Sequence, residues 1–338
     1  MTPDPPTVSV VIPCRNERGY ICGCIEALLH GNMPTFEIIA VDGCSTDGTA
    51  QAISLLAERD SRVRLLNNPG LTTPAALNLG ISKAQGEFIA ILGAHSQPAT
   101  DWLQRNLMVL EQNPHAVGVG GVLDTIGDSR TGRVGAAVLR SRFGVGNARF
   151  RIGGRAGIVD TIVFGCYRRS AFRYGLFDLD LATNQDDEFN TRLRAQGEQL
   201  FFNPSIRCRY YSRASWSGLV RQYWRYGRFK PAVFQKAGAV GSPRQLVPAA
   251  WVLFLALAAS LGPAVPVLGF LSVAVCVVYL CLGLSAAFSS RGLEISERLL
   301  FVAVAASLHV AYGLGTWYGA FATFLQPDRF SSAAQTKR

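Results

Sequence analysis

The sequence predicts an α/β fold, a mostly parallel sheet with helices on both faces, followed by a C-terminal transmembrane helical region. Three observations carry this. Short apolar runs alternate with helix-period segments over residues 1–125. No charged residue occurs in the 46 positions between Arg244 and Arg291. A further apolar run extends from Leu299 to about Leu325.

Each element has its own signal. VSVVIP (8–13), FEIIAVD (36–42), RVRLLNN (62–68), FIAIL (88–92) and AVGVGGV (116–122) read as strands. Most are apolar at nearly every position, as strands covered on both faces must be. Helix-period patterns fall between them, at about 19–30, 48–58, 73–84 and 99–112. Neither GxGxxG nor GxxxxGK[ST] occurs, so the common dinucleotide and P-loop fingerprints are excluded. Residues 126–160, including RFGVGNARFRIGGRAGIVD, are rich in Gly and Arg and are expected to form a long functional loop rather than a packed element. NQDDEFNTRLRAQG then predicts a helix with its acids in the first turn and its arginines later, the order that the helix dipole favours.

A membrane span needs about 20 apolar residues. The uncharged stretch holds two, with Gly262-Pro263 and Pro266 as the turn, and the third run adds another. The expected spans are about 246–262, 267–288 and 299–325. Residues 1–240 form the expected cytoplasmic domain and 241–338 the membrane region. Before the first span, residues 203–245 carry nine basic residues and no acid, interleaved with Trp216, Tyr223, Trp224 and Tyr226. Such a segment belongs at an anionic headgroup surface. Arg291 and Arg298, between the second and third spans, agree with a cytoplasmic loop there; an outside tail bearing Arg329, Lys337 and Arg338 agrees less well.

The formal net charge of +10, from 33 Lys and Arg against 23 Asp and Glu, favours an anionic partner such as a nucleotide, a lipid phosphate or a membrane surface. No zinc-finger spacing or RNA-binding aromatic motif accompanies it, so nucleic acid is not the expected partner. The eight cysteines form no CxxC pair and read as reduced thiols. The opening MTPDPPTVSVVIP lacks the basic and apolar regions of a cleaved signal peptide.

Chemistry-bearing residues cluster after strand ends. PCRNE (Pro13 to Glu17) follows the first strand and VDGCSTDGT (Val41 to Thr49) the second. In a parallel sheet both loops share one edge, so Asp42 faces the same crevice as Asn16 and Glu17. A carboxylate there can accept a hydrogen bond from a base N–H or a ribose hydroxyl. Asp47 reads instead as turn and cap chemistry for the next helix. GEFIAILGAHS (86–96) ends a strand at Gly93-Ala94-His95 with no carboxylate.

PCRNE, VDGCSTDGT, ALNLGISKAQGEFIAIL, FGCYRRSAF, GLFDLDL and the DDE cluster stand in the order seen in family 2 glycosyltransferases, which they resemble over about residues 8–235. FGVGNARFR, VDTIVFG, QYWRYGRFK and the terminal spans are most similar to bacterial succinoglycan-biosynthesis glucosyltransferases and related exopolysaccharide enzymes. The resemblance implies the GT-A nucleotide-diphospho-sugar transferase fold and inverting hexosyl transfer. The expected donor is a UDP-hexose, with glucose first, and the expected acceptor a polyprenyl-diphosphate-linked saccharide.

The same resemblance implies roles. Pro13, Asn16, Glu17, Asp42, Gly93, Ala94 and His95 would bind the nucleotide sugar, with Asp42 on uracil or ribose. Asp186 would be the catalytic base. Asp160, Asp187, Gln222, Arg225 and Tyr226 would serve the acceptor or diphosphate, the last three within QYWRY, similar to a Gln-x-x-Arg-Trp motif. Arg168 and Arg169 are second-tier candidates. Gly93 and His95 stand at the place of the family's Asp-x-Asp metal motif, so His95 becomes the metal ligand. A divalent ion, Mg²⁺ or Mn²⁺, is then expected to bind weakly or be dispensable, with arginines sharing the diphosphate charge. Gln185 also departs from the usual Glu. Two alternatives stay open: a processive polysaccharide synthase, suggested by QYWRY, and a degenerate nucleotide-sugar-binding membrane scaffold, suggested by Gly93 and Gln185.

Overall fold

The computed structural model describes residues 6–33 and 35–325. The chain divides into two compact units. The first comprises Met1–Asp124, Gly153–Tyr210 and Ala237–Ala239. The second comprises Thr125–Ile152, Tyr211–Lys236 and Val240–Arg338.

The first unit opens with β1 (Val8–Cys14), α1 (Ile21–Leu29), β2 (Phe36–Asp42), α2 (Thr49–Arg59), β3 (Val63–Asn67), α3 (Thr73–Lys83) and β4 (Phe88–Ile91). Strands β3, β2, β1 and β4 lie side by side in that order, all parallel. Their register puts Cys14 opposite Asp42, so β1 and β2 end at one edge. The chain continues through β5 (Ser96–Pro98), α4 (Trp102–Gln112) and β6 (Ala116–Ile126). These elements match the expected periodicity to within a few residues.

After β6 the expected long loop is not what forms. Residues 126–160 contain α5 (Arg130–Leu139), α6 (Arg142–Val145), α7 (Arg149–Ile152) and the short strand β7 (Gly157–Val159). Glycines made this stretch look irregular, yet α5 has a Ser129 side-chain cap on Gly132 N and an apolar face. That face buries Val134, Ala137, Val138 and Leu139. Burial outweighs the roughly 1 kcal/mol that a helical glycine costs relative to alanine.

The sheet is completed by β8 (Cys166–Arg168) and, after a 3₁₀ turn and α8 (Gln185–Ala195), by β9 (Gln199–Tyr211). The order is β3-β2-β1-β4-β8-β6-β9-β5, with β7 also paired to β9. Strand β8 runs antiparallel to β4 and β6. The core on one face joins Val11, Ile39 and Ile89 of the sheet to Leu77 of α3 and Phe189 of α8.

The second unit contains α9 (Trp216–Ala237), α10 (Val247–Leu261), α11 (Pro266–Ser289) and α12 (Ile295–Leu325). Three helical segments, Pro243–Leu261, Pro266–Ser289 and Ile295–Leu325, are long and apolar enough to cross a membrane. Helix α12 also packs on α5, where Phe301, Val304 and Leu308 meet Val134 and Val138. Arg133 donates to Glu297 at 2.6 Å across that contact, and Glu297 is only 1% exposed.

Glycines let α9 approach α12 backbone to backbone. Side chains at Gly315 and Gly319 would strike the carbonyl oxygens of Trp224 and Arg228, and one at Gly227 would strike that of Tyr312. Small residues four apart allow such close helix crossings. The basic and aromatic segment therefore divides. Arg207 and Arg209 belong to β9, where Arg207 grips Asp124 with two bonds of 2.9 and 2.6 Å. The residues from Trp216 onward form a helix held on α12. Arg329, Lys337 and Arg338, assigned above to an outside tail, lie outside the described residues.

Candidate functional site

The carboxyl edge of the parallel strands carries two loops that are bonded to each other. Asn16 N donates to Ser45 Oγ at 2.8 Å, and Thr46 N donates to Asn16 Oδ1 at 2.9 Å. Glu17 N donates to Thr49 Oγ1 at 2.8 Å, and Arg18 N to Asp47 Oδ2 at 3.0 Å. Asn16 and Cys44 sit in the left-handed region, each at φ 55°. Strain of this kind persists only where surrounding bonds hold it.

Asp47 does what its position suggested. Its Oδ1 accepts from Thr49 N at 3.0 Å and Thr49 Oγ at 2.6 Å. The Thr49 hydroxyl, followed by the Arg18 and Thr49 N–H groups, holds its carboxyl below the ordinary carboxylate range.

Asp42, 4% exposed, ends β2. Its Oδ2 accepts from Ser45 N at 2.9 Å and its Oδ1 from Ser45 Oγ at 2.5 Å. A carboxylate has about four acceptor directions, so these bonds orient Asp42 and leave capacity for a ligand. Pro13 pairs with Val41 one step back along the same edge. Burial, together with Asp42, Glu17 and Asp47, pushes the Cys14 thiol up to about 12. Three acids thus converge around the start of the first loop. An anionic diphosphate entering such a crevice needs a cation with it.

Strand β4 ends in a turn over Gly93-Ala94-His95. The Gly93 carbonyl accepts from Ser96 Oγ at 2.5 Å and from Cys24 Sγ at 3.6 Å. His95 Nδ1 lies 3.1 Å from Glu17 Oε1. A carboxylate only accepts, so the bonded Nδ1 carries a proton and Nε2 keeps its lone pair when the ring is neutral. Tyr210 flanks the imidazole at a centroid distance of 5.2 Å, and Tyr20 at 6.5 Å.

Gly93 has a neighbour that its sequence position did not reveal. A Cβ at residue 93 would lie 2.5 Å from Phe164 Cζ. Phe164 itself has φ 50°, which a bulky side chain rarely adopts. Its ring is also 6.1 Å from that of Tyr210. Phe164, Tyr210 and Tyr20 were all missed in the sequence; only VDTIVFG hinted at the first.

The donor set can be tested against a divalent ion. Among the described residues, no group of three or more His, Cys, Asp or Glu is arranged to hold a metal. Glu17 occupies the Nδ1 side of His95 and sets its tautomer, which leaves His95 Nε2 to face an ion. A divalent ion there would take its other ligands from substrate phosphates and water.

Helix α8 presents Asp186 and Asp187 in its first turn, both half-buried. Glu188 does separate work: 2% exposed, it takes two bonds from Arg192, at 2.7 and 3.1 Å. Arg192 also donates to the carbonyls of Tyr174 and Leu176, at 2.5 and 2.8 Å, fixing the start of GLFDLDL. Asn190 Nδ2 donates to Ile162 O at 2.8 Å, and its Oδ1 accepts from Tyr167 at 2.9 Å. Burial and, after it, the Asp186 charge raise the Tyr167 hydroxyl. Asn190 therefore ties α8 to the strand and loop that carry Phe164 onto Gly93.

Other candidates lie on other elements. Asp160 follows β7, and Gln222, Arg225 and Tyr226 lie on α9 in the second unit, where Gln222 Nε2 donates to the Tyr226 hydroxyl at 2.8 Å. Arg168 and Arg169 sit at the opposite edge of the sheet, because Arg168 pairs with Phe88 at the start of β4. They bind the carbonyls of Leu110, Ala116, Ala84 and Gly86, so their work is structural.

Residues 9–176 match the model of the family described as glycosyl transferase family 2. A dolichyl N-acetyl-α-D-glucosaminyl phosphate 3-β-D-2,3-diacetamido-2,3-dideoxy-β-D-glucuronosyltransferase of Methanococcus voltae is 32% identical over 239 residues, covering 68% of this chain and 74% of that protein.

The chain belongs to glycosyl transferase family 2.

It is a glycosyltransferase of glycan biosynthesis. The succinoglycan biosynthesis protein ExoA of Rhizobium meliloti is 30% identical, over 71% of this chain and 74% of its own. The mannosyltransferase PcManGT of Pyrobaculum calidifontis, solved in complex with GDP-Man and Mn²⁺, superposes with a TM-score of 0.58 at 20% identity, covering 94% of this chain and 88% of its own. That likeness establishes the GT-A-like fold, and the likeness to ExoA agrees with the exopolysaccharide resemblance read in the sequence.

Proposed function

We propose that the protein is a membrane-anchored inverting hexosyltransferase that moves a sugar, glucose first among the candidates, from a UDP donor to a lipid-linked saccharide. The observation that carries this is the bonded pair of loops at the carboxyl edge of β1 and β2. It brings Asp42, Asn16 and the Glu17–His95 pair to one crevice beside the Gly93 turn. Asp42 accepts from the uracil or ribose, while Asn16 and Glu17 shape the loop around it.

Asp186 takes the proton of the acceptor hydroxyl as its oxygen attacks the anomeric carbon and the bond to the UDP oxygen breaks. Asp187 and Asp160 line the acceptor side, and Gln222, Arg225 and Tyr226 of α9 serve the acceptor or diphosphate. His95 would hold a divalent ion through Nε2, with Glu17 fixing the ring from the Nδ1 side, and such an ion would supply positive charge to the departing diphosphate. Arginines such as Arg225 share that charge, so the demand for metal is modest.

Residues 1–240 act on the cytoplasmic side, where nucleotide sugars are made, and the three apolar helices of the 241–338 region cross the bilayer. The three apolar helices and the arginines at 291 and 298 support this. The lipid-linked acceptor is favoured because the named substrate of the M. voltae relative is a dolichyl-linked sugar phosphate. The decisive experiment incubates the full chain in native membranes with labelled UDP-glucose, UDP-galactose, UDP-N-acetylglucosamine or GDP-mannose and a lipid extract. One sugar added to an extractable lipid, with release of UDP, is the expected result. A long polymer would make it a processive synthase, and transfer from a GDP-sugar alone would overturn the donor.

A further inference from the structure

We propose that a cavity wholly within the second unit, between α5–α6 and the end of α11, holds the phosphate of an anionic bilayer phospholipid. The inference rests on the membrane-spanning reading of α10–α12 above. The cavity measures about 460 Å³ and is lined by Arg140, Ser141, Arg142 and Phe143 on one side and by Ser289, Ser290 and Arg291 on another. It has three guanidinium groups and no carboxylate in its wall. None of the three arginines belongs to the ion pairs found among the described residues.

The serine hydroxyls are committed to their own backbone. Ser141 donates to Val138 O at 2.8 Å, Ser289 to Ser285 O at 2.8 Å and Ser290 to Ala286 O at 2.9 Å. The arginines are thus the donors available to a ligand, and planar guanidinium forks match phosphate oxygens. A water takes about 30 Å³ of liquid, so the space admits a phosphate, its glycerol linkage and several waters.

Position selects the source of the phosphate. Ser289 is the last residue of α11, and the outer surface of that helix is apolar and open, with Val273 63% and Phe288 57% exposed. An arginine-lined cavity at the end of an exposed apolar helix suits a molecule with an anionic head and an apolar tail. Packing holds the cavity wall in place. The Phe143 ring meets Tyr279 at 4.9 Å and His309 at 5.7 Å, and His309 Nε2 lies 3.1 Å from Gly144 O. Inorganic phosphate shares the head-group chemistry but gains nothing from the apolar surface.

The test uses the full chain in detergent, titrated with phosphatidylglycerol or phosphatidylcholine and read by native mass spectrometry. Phosphatidylglycerol should bind and survive millimolar inorganic phosphate, while the choline cation should weaken phosphatidylcholine. Each of R140Q, R142Q and R291Q should weaken phosphatidylglycerol about fivefold, and the triple variant about 100-fold. The three Arg→Lys changes together should keep most of the binding, which separates lost charge from lost fold. Unchanged binding in the triple Gln variant overturns the proposal. So does displacement by inorganic phosphate, which would make this a free-phosphate site, or by polyprenyl phosphate at a tenth of the concentration, which would assign it to the acceptor. Pelleting of the wild-type chain with carbonate-washed membranes reports separately on the spans.

Discussion

Phe164 stands in the space that a side chain at residue 93 would need: a Cβ built on Gly93 lies 2.5 Å from its Cζ and 2.8 Å from its Cε1. The position where the family resemblance leads one to expect aspartate is therefore closed by a ring, and glycine is the residue that fits under it. Restoring the acid alone adds volume to a filled site, so Gly93→Asp is expected to displace the Phe164 ring rather than simply to supply a metal oxygen.

Gly93→Asp should lower stability by about 1–3 kcal/mol, the usual cost of overpacking, and leave Mn²⁺ affinity unimproved. Gly93→Asp with Phe164→Ala removes the obstructing ring and should recover part of the stability while tightening Mn²⁺. Thermal unfolding and electron paramagnetic resonance titration of Mn²⁺ read the two effects. Tighter Mn²⁺ in the single variant would show that Phe164 yields easily.

Asp186→Asn keeps the shape of the first turn of α8 and removes its proton acceptor. Transfer should fall by about 10²–10⁴-fold, the range for general base catalysis, with UDP binding intact. Turnover near wild type would take Asp186 out of the mechanism.

Asp42→Ala should weaken UDP by about 1–3 kcal/mol, the cost of leaving a buried partner unsatisfied. Since Asp42 also holds Ser45 through two bonds, Ser45→Ala serves as the control. It removes the hydroxyl's bonds with Asp42 and Asn16 N but keeps the Asp42 carboxylate, and should cost UDP affinity less. Equal losses by calorimetry would reduce Asp42 to a loop residue.

Asp47 makes the loop pair acid-sensitive. Its carboxyl is held below the ordinary value, first by Thr49, so the folded state binds its proton less readily than the unfolded chain. The stabilisation is complete above the unfolded value of about 3.9 and drains away as pH falls through the lower, folded value. Melting curves between pH 6 and 2 should show Asp47→Asn less sensitive to acid than wild type in that window. Parallel curves would mean that Asp47 contributes nothing to the linkage.

Ending the chain near Gly241 removes α12, the partner of α5 and α9. Val134, Val138 and Leu219 would lose Phe301, Val304 and Leu308, and Arg133 would lose Glu297. Such a fragment should aggregate without detergent even though the first unit keeps its sheet. A monodisperse, UDP-binding fragment in gel filtration would show that these faces close without the spans.

Local pattern carried much of this protein into view. Runs such as FEIIAVD and FIAIL marked buried parallel strands because apolar periodicity depends only on neighbours along the chain. The same logic placed PCRNE and VDGCST on one sheet edge, exposed the three apolar helices through their length, and brought out the family through the order of its motifs. What the sequence could not supply were contacts between distant segments. Gly93 and Phe164 are 71 residues apart, and nothing in either neighbourhood states that one closes over the other. The commitments of Asp42 to Ser45 and of Glu17 to His95 became visible only with the loops in place, as did those of Arg168 and Arg169 to carbonyls at the far edge. The glycine-rich stretch after Ile126 became helical for the same reason. Its intrinsic propensity is weak, and burial of α5 against α12, a segment more than 150 residues later, supplies the free energy that its own residues lack.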